Sequence, residues 1–340
     1  MSVDPEPAEV ERFKLYSVKE LPKLCDPAWL IKGLFRIGAF VVLYGQSGVG
    51  KSFVALAWAL SIAMGGRWHG RLVKKGAVVY VAAEGGRSIR KRVAAWLKRH
   101  NLKDLPGAFF LLEDVQVRQP EHMDLLKHRI AELGLEPALI IVDTLARCFV
   151  GGDENLAGDM GEFVWAIADL QQATGAAVML VHHTPRKEPG HERGSGALRG
   201  AADTMICVQK SKDGLVTVSN SKQKDDEEFE EFSLRLRKVV LGRDEDGEPI
   251  TSCVLDGADS TESTASQIDR GCLKTLAALA AFPEGEASTS KWKEKAGRKD
   301  RTLHDHRRKL ESHGLVEGIG RGRYRVTAKG RNVAKTATAT

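Results

Sequence analysis

The chain has 340 residues, 42% of them apolar and 28% charged, enough for about two domains of ordinary globular composition. No apolar run approaches the ~20 residues that span a bilayer, and the acidic start (Asp4, Glu6, Glu9, Glu11) lacks a basic-then-apolar export pattern; membrane classes are excluded and a cytoplasmic location is expected. The five cysteines form no CxxC pair, which supports neither a zinc site nor a disulfide framework, and the net charge of +6 hides an asymmetry: residues 291–340 carry 15 Lys and Arg against 5 Asp and Glu, the preceding residues 36 against 40.

Residues 1–36 read as a polar lead-in that ends near Trp29, a residue suited either to packing under a nucleotide base or to a core. From residue 39 onward, short and nearly continuous apolar runs (39–44, 77–82, 138–142, 176–181) alternate with helix-length segments (51–64, 88–99, 123–133, 159–173). Strands buried on both faces of a parallel sheet read this way, so an α/β domain is expected over residues 37–255.

The first run enters Gly45-Gln46-Ser47-Gly48-Val49-Gly50-Lys51-Ser52, which fits G-x-x-x-x-G-K-[ST] between a strand and a helix. Glycines let backbone N–H groups turn inward around phosphate oxygens, and the helix N-terminus adds a favourable dipole. Lys51 would neutralise the β and γ phosphates and the Ser52 hydroxyl would bind Mg²⁺, so ATP and Mg²⁺ are the expected cofactors. The second run ends in Glu84, at the sheet edge where such folds bind ligands, and a carboxylate there could activate water. The third run ends in Asp143; an aspartate closing four aliphatic residues is costly without a cation or hydrogen-bond partners, which makes it the expected magnesium carboxylate. The fourth runs into His182-His183, where a polar side chain could sense the γ-phosphate or serve the fold alone.

Past Asp203 the pattern turns to short antiparallel strands (204–209, 215–219, 232–236, 251–255), then a Ser/Thr/Asp-rich linker over 256–266. Residues 267–331 read as three helices and a hairpin, and 332–340 as a disordered tail. This order resembles a winged helix-turn-helix, which implies a third helix carrying Arg301, Arg307 and Arg308 in the major groove of duplex DNA and a hairpin carrying Arg321, Arg323 and Arg325 on the backbone or minor groove. A protein-docking winged helix with merely solvated charge fits the same pattern.

The phosphate loop, Glu84, Asp143 and His182 together resemble the RecA/DnaB superfamily of P-loop ATPases, and within it the RepA-like hexameric replicative helicases of plasmids and phages. The likeness covers residues 29–255. In that group the catalytic glutamate follows the strand after the phosphate-loop helix, as Glu84 does, whereas Asp143-Thr144 lacks the Asp-Glu pair of AAA+ proteins proper. The resemblance implies a RecA-like core, a homo-hexamer, a γ-phosphate sensor at His182, and basic residues reaching a neighbour's ATP: Arg199 as a finger, with Lys222 and Lys224 as a trans-acting pair. It also implies that a loop near 185–193 contacts single-stranded DNA in the ring. An ATP-switched DNA-binding regulator that does not unwind, and a RadA/KaiC-like recombination or repair ATPase, are the rival readings.

Overall fold

The computed structural model describes residues 15–24, 26–84, 86–184, 196–257, 270–312 and 314–327, together with 330, 331 and 334. The expected DNA-contacting loop at 185–193 lies outside the described residues, as do positions 1–14 of the lead-in, most of the linker and nearly all of the tail.

A nine-stranded sheet organises the larger part. Its strands are β3 (Phe40–Gly45), β6 (Ala77–Ala82), β7 (Ala108–Leu111), β8 (Pro137–Asp143), β9 (Ala177–His183), β10 (Thr204–Lys210), β11 (Leu215–Gln223), β12 (Phe232–Arg243) and β13 (Pro249–Gly257). They lie in the order β13-β12-β11-β10-β3-β9-β8-β6-β7. The six strands from β10 to β7 are parallel, and β11, β12 and β13 extend the sheet antiparallel. The expected α/β class with antiparallel C-terminal strands is what the chain adopts, except that β10, expected over 204–209 as the first antiparallel strand, lies parallel to β3 and is antiparallel only to β11. A small sheet of β1 (Trp29–Ile31), β2 (Phe35–Arg36), β4 (Gly66–Trp68) and β5 (Arg71–Val73) covers one flank.

Side chains along β3 alternate between two cores. Val41 and Leu43 join the core around helix α1 (Lys51–Met64) and helix α2 (Gly86–Arg99), whereas Phe40, Val42 and Tyr44 face α3 (Pro120–Glu132), α4 (Leu145–Cys148) and α5 (Ala157–Thr174). Alternation with both faces buried explains why the parallel strands read as unbroken apolar runs. Helix α1 is buried on nearly every side. The reason is that the sheet curls: Val216, Val218, Leu234, Val254 and Leu255 return to the same core as Trp58 and Trp96. Asp256 holds the curl by pairing with Arg99 of α2 at 3.2 Å and Arg237 of β12 at 2.9 Å. A helix enclosed this way is apolar all round rather than amphipathic.

Residues 270–327 form α7 (Arg270–Ala280), β14 (Glu286–Ser288), α8 (Thr289–Ala296), α9 (Asp300–Ser312) and the hairpin β15 (Val316–Gly320) and β16 (Arg323–Val326), around a core that includes Leu276, Trp292, Leu303 and Leu310. Strand β14 adds to the expected three helices and hairpin: it pairs with β16 and completes a three-stranded sheet. Three residues are too few to leave a period-two signal.

Trp58 is fully buried at the centre of α1, and its Nε1 has no hydrogen-bond partner among the described residues. Trp58→Ala is expected to cost about 3–5 kcal/mol. Trp58→Phe keeps most of the ring volume and removes an unpartnered N–H, so it should cost less than about 1.5 kcal/mol. Urea unfolding of both variants checks this.

Candidate functional site

Parallel register sets four strand ends side by side. Gly45 pairs with His183, Asp143 with Val181, and Ala82 with Asp143. The Glu84 amide then donates to the Asp143 carbonyl at 3.2 Å, which ties the loop after β6 to the end of β8. Gly45 and Gly50 hold φ of +154° and +107°, and a Cβ on Gly45 would lie 2.1 Å from the Val208 carbonyl oxygen, so only glycine fits there. The loop closes on a cavity of about 230 Å³ whose lining includes Lys51, Ser52, Glu84, Arg92, Asp143 and His183.

Lys51 is buried, and its Nζ donates to the carbonyls of Gly45 and Gln46, each at 2.8 Å, and to His183 Nδ1 at 3.0 Å. Burial pushes its pKa down to about 8, against the pull of Asp143 and Glu84. An ammonium has donors only, so His183 accepts at Nδ1 and carries its proton on Nε2. That N–H is left to donate to Glu84 Oε2 at 3.3 Å. Asp143 Oδ2 accepts from the Tyr80 hydroxyl at 2.6 Å, while its buried Oδ1 has no partner among the described residues. Burial raises the acid's pKa despite Tyr80, Ser52 and Arg92, which favour the charged form, and Glu84 adds to the rise. An open, desolvated carboxylate oxygen beside a serine suits a divalent cation. Arg92 of α2 lies 4.5 Å from the Phe53 ring and reaches the same lining.

His182 takes a different position from the expected one. It pairs with Tyr44, whose ring belongs to the core opposite Lys51, and it is buried outside the cavity; His183 lines the cavity instead. Strand parity explains this, since Met179 and Val181 face α1 and His183 shares their side. Trp29 does not reach the cavity either: Lys32 and Arg36 stack on it at 5.4 and 4.4 Å. Arg92 was legible, because Ile89, Arg92, Val93 and Trp96 follow helical spacing and a cation on that apolar stripe needs a partner.

The other expected basic residues lie at the opposite sheet edge, where Thr204 pairs with both Val41 and Gln223. In α6 (Gly196–Ala201), Arg199 donates to the Ser221 carbonyl at 3.0 Å. Lys222 donates to the Arg199 carbonyl at 2.7 Å, and Lys224 pairs with Asp203 at 3.5 Å. Four strand residues, roughly 13 Å, separate Val41 from the phosphate loop. In the C-terminal part, Arg307 donates to the Tyr324 hydroxyl at 2.9 Å, and Arg323 and Arg325 both pair with Glu286. Arg301 and Arg308 on α9 and Arg321 in the hairpin turn are all exposed.

A glycine-framed loop between a parallel strand and an enclosed helix, closed on a buried lysine and carboxylate, defines a P-loop nucleotide-binding protein. Residues 7–189 match the family model described as an AAA domain, more than half of the chain, and the protein belongs to that family. Among solved structures, a KaiC-like protein from the hyperthermophilic archaeon Pyrococcus horikoshii OT3 is 14% identical, with a TM-score of 0.45, over 66% of this chain and 93% of that one. The RadB recombinase is 17% identical, with a TM-score of 0.44, over 59% and 88%. No curated protein matches the sequence.

His183→Ala is expected to lower nucleotide turnover by roughly 10²-fold. His182→Ala should lower the melting temperature and leave turnover within a few fold. Steady-state ATPase assays and thermal melts on the two variants distinguish these roles.

Proposed function

We propose that this protein is an ATPase that works on DNA as a ring-forming oligomer, with a RecA-like core and a winged helix, in the manner of a helicase or translocase of a plasmid, phage or related mobile element. The observation that carries the hydrolytic part is the convergence on one cavity of buried Lys51, buried Asp143 with an open oxygen, and Glu84 tied to His183. In this reading residues 45–52 wrap the phosphates and Lys51 exchanges its carbonyl partners for phosphate oxygens. Ser52 and Asp143 hold Mg²⁺, which when bound neutralises charge on the triphosphate. Glu84 takes the proton of the attacking water. His183 holds the Glu84 carboxylate through Nε2–H. Arg92 faces charge that develops on the transferring phosphoryl group.

Arg199, Lys222 and Lys224 serve a neighbour's nucleotide in this reading, because a strand's length lies between them and their own loop. Single-stranded DNA occupies the ring and duplex DNA the C-terminal module. Arg301, Arg308 and Arg321 supply phosphate contacts there, while Arg307, Arg323 and Arg325 hold the module's own geometry through Tyr324 and Glu286.

The test is ATPase activity with mass measurement, with and without single-stranded DNA, followed by unwinding of tailed duplexes. Stimulated turnover with unwinding supports the reading. Retained duplex binding by Lys51→Ala, with no unwinding by the wild-type protein, would leave an ATP-switched DNA binder instead. For the shared site, Glu84→Ala and Arg199→Ala should each lose roughly 10³-fold or more in turnover. Their mixture should exceed both, since a subunit with intact Glu84 can then meet one with intact Arg199; turnover that does not change with mixing ratio sinks the shared site. For the module, Arg308→Ala should lower the salt dependence of duplex binding by about one ion, and Arg307→Ala should mainly lower thermal stability.

A further inference from the structure

Helix α2 carries a cationic face that the nucleotide cavity does not use. Residues 85–103 hold seven Lys and Arg and no Asp or Glu. The helix buries Ile89, Ala95 and Trp96 in the core, and its Arg92 lines the cavity. Arg90, Lys91, Ala94 and Lys98 are exposed on its outer side. Their helical spacing aligns the three cations in one stripe about 10 Å long. A surface helix ordinarily mixes acids with its bases, and acids favour the first turn; the first turn of α2 has none.

The curl of the sheet enlarges this charge. Strand β12 is basic as well, with four Lys and Arg and no acid over residues 232–243. It lies against the end of α2: Lys98 Nζ donates to the Val240 carbonyl at 2.9 Å, across 142 residues of sequence. Arg99 and Arg237 share the Asp256 carboxylate at 3.2 and 2.9 Å. One carboxylate between two guanidiniums leaves a net positive charge, and a carbonyl neutralises nothing on Lys98. Among the described residues no carboxylate pairs with Arg90, Lys91 or Lys98. Two segments without acids are thus held side by side, and the repulsion between them is relieved by a polyanion.

The chemistry of the face selects the polyanion. Among the described side chains of α2, none exposed is both apolar and larger than Ala94, and Trp96 is buried. A protein partner needs apolar or aromatic anchors, a bilayer surface needs apolar side chains to bury, and a single strand needs aromatic faces for its bases. The phosphate backbone of a duplex needs only spaced cations. We propose that this flank of the core binds the backbone of duplex DNA, with Arg90, Lys91 and Lys98 in contact and Arg99 and Arg237 fixed beside them by Asp256. The surface is separate from the C-terminal module, and the inference stands without that module's DNA contact and without ATP turnover.

The test measures binding of full-length protein to a fluorescent duplex of about 30 base pairs and arbitrary sequence, by anisotropy across a salt series without nucleotide. Arg90→Gln with Lys91→Gln and Lys98→Gln removes the stripe at exposed positions, and thermal melts check that the variant folds. It should bind roughly tenfold or more weakly, and its log–log salt slope should fall by about 2–3. Lys19→Gln with Lys23→Gln and Lys212→Gln makes the same charge change at exposed positions elsewhere and should leave the slope unchanged. A photo-crosslinking residue in place of Ala94, at the middle of the stripe, should join to the duplex. Arg301→Ala with Arg308→Ala tests the module separately: a loss confined to the stripe variant supports the flank and counts against the module, and a loss confined to the module variant overturns the flank. A wild-type protein that does not bind duplex, an equal loss from the control substitutions, or no crosslink at position 94 also overturns the proposal.

Discussion

The burial of Lys51 beside Asp143 is the constraint on which the rest of the structure turns. Each charge loses hydration at the sheet edge, and the fold compensates with three acceptors for the ammonium and a tyrosine hydroxyl for the carboxylate. Those partners come from β3, the loop after it, β6 and β9, so the strand order is also the order of the site. A one-residue slip in β6 or β9 would turn Tyr80 or His183 to the other face and leave a buried charge without its partner. The curled sheet serves the same end: α1 is enclosed on nearly every side, and the loop at its N-terminus is held to the strands.

Compensation is incomplete at two neighbouring oxygens in the cavity lining or beside it. Among the described residues Asp143 Oδ1 has no partner, and Thr144 Oγ1 next to it is also buried without one. Orphaned oxygens gathered at one strand end are what remain when the missing partners belong to a ligand. The same logic separates the two histidines. His183 has a donor on one nitrogen and a carboxylate on the other, within a polar cavity, whereas His182 is held inside the apolar layer beside Tyr44.

Much of this was legible in the sequence, and the boundary between what was and was not follows physical range. The phosphate loop, Asp143 and Glu84 are local patterns: glycines at fixed spacing and acids that close aliphatic runs. The buried strands announced themselves because both faces are apolar. Strand β7 did not, since a four-residue edge strand after Pro106-Gly107 carries neither alternation nor length. The choice of His183 over His182 needed only parity along β9, counted from residues already known to face α1. The curl of β12 and β13 onto α2 had no local sign at all, because it depends on packing between residues some 160 apart, such as Arg99 and Asp256.

That curl changes what the antiparallel strands are for. A flat extension of the sheet would leave β12 and β13 remote from the nucleotide cavity. Instead Leu236 of β12 lines the cavity, Lys98 of α2 donates to the Val240 carbonyl at 2.9 Å, and Asp256 clamps α2 one residue before β13 ends. Helix α2 begins two residues after Glu84 and carries Arg92, so both side chains take their positions from a helix that the hairpin holds. Strand β13 is also where the chain leaves the larger core toward residue 270. The last strand of the core and the first helix after Glu84 are therefore one packed unit, and a displacement of either moves the cavity wall.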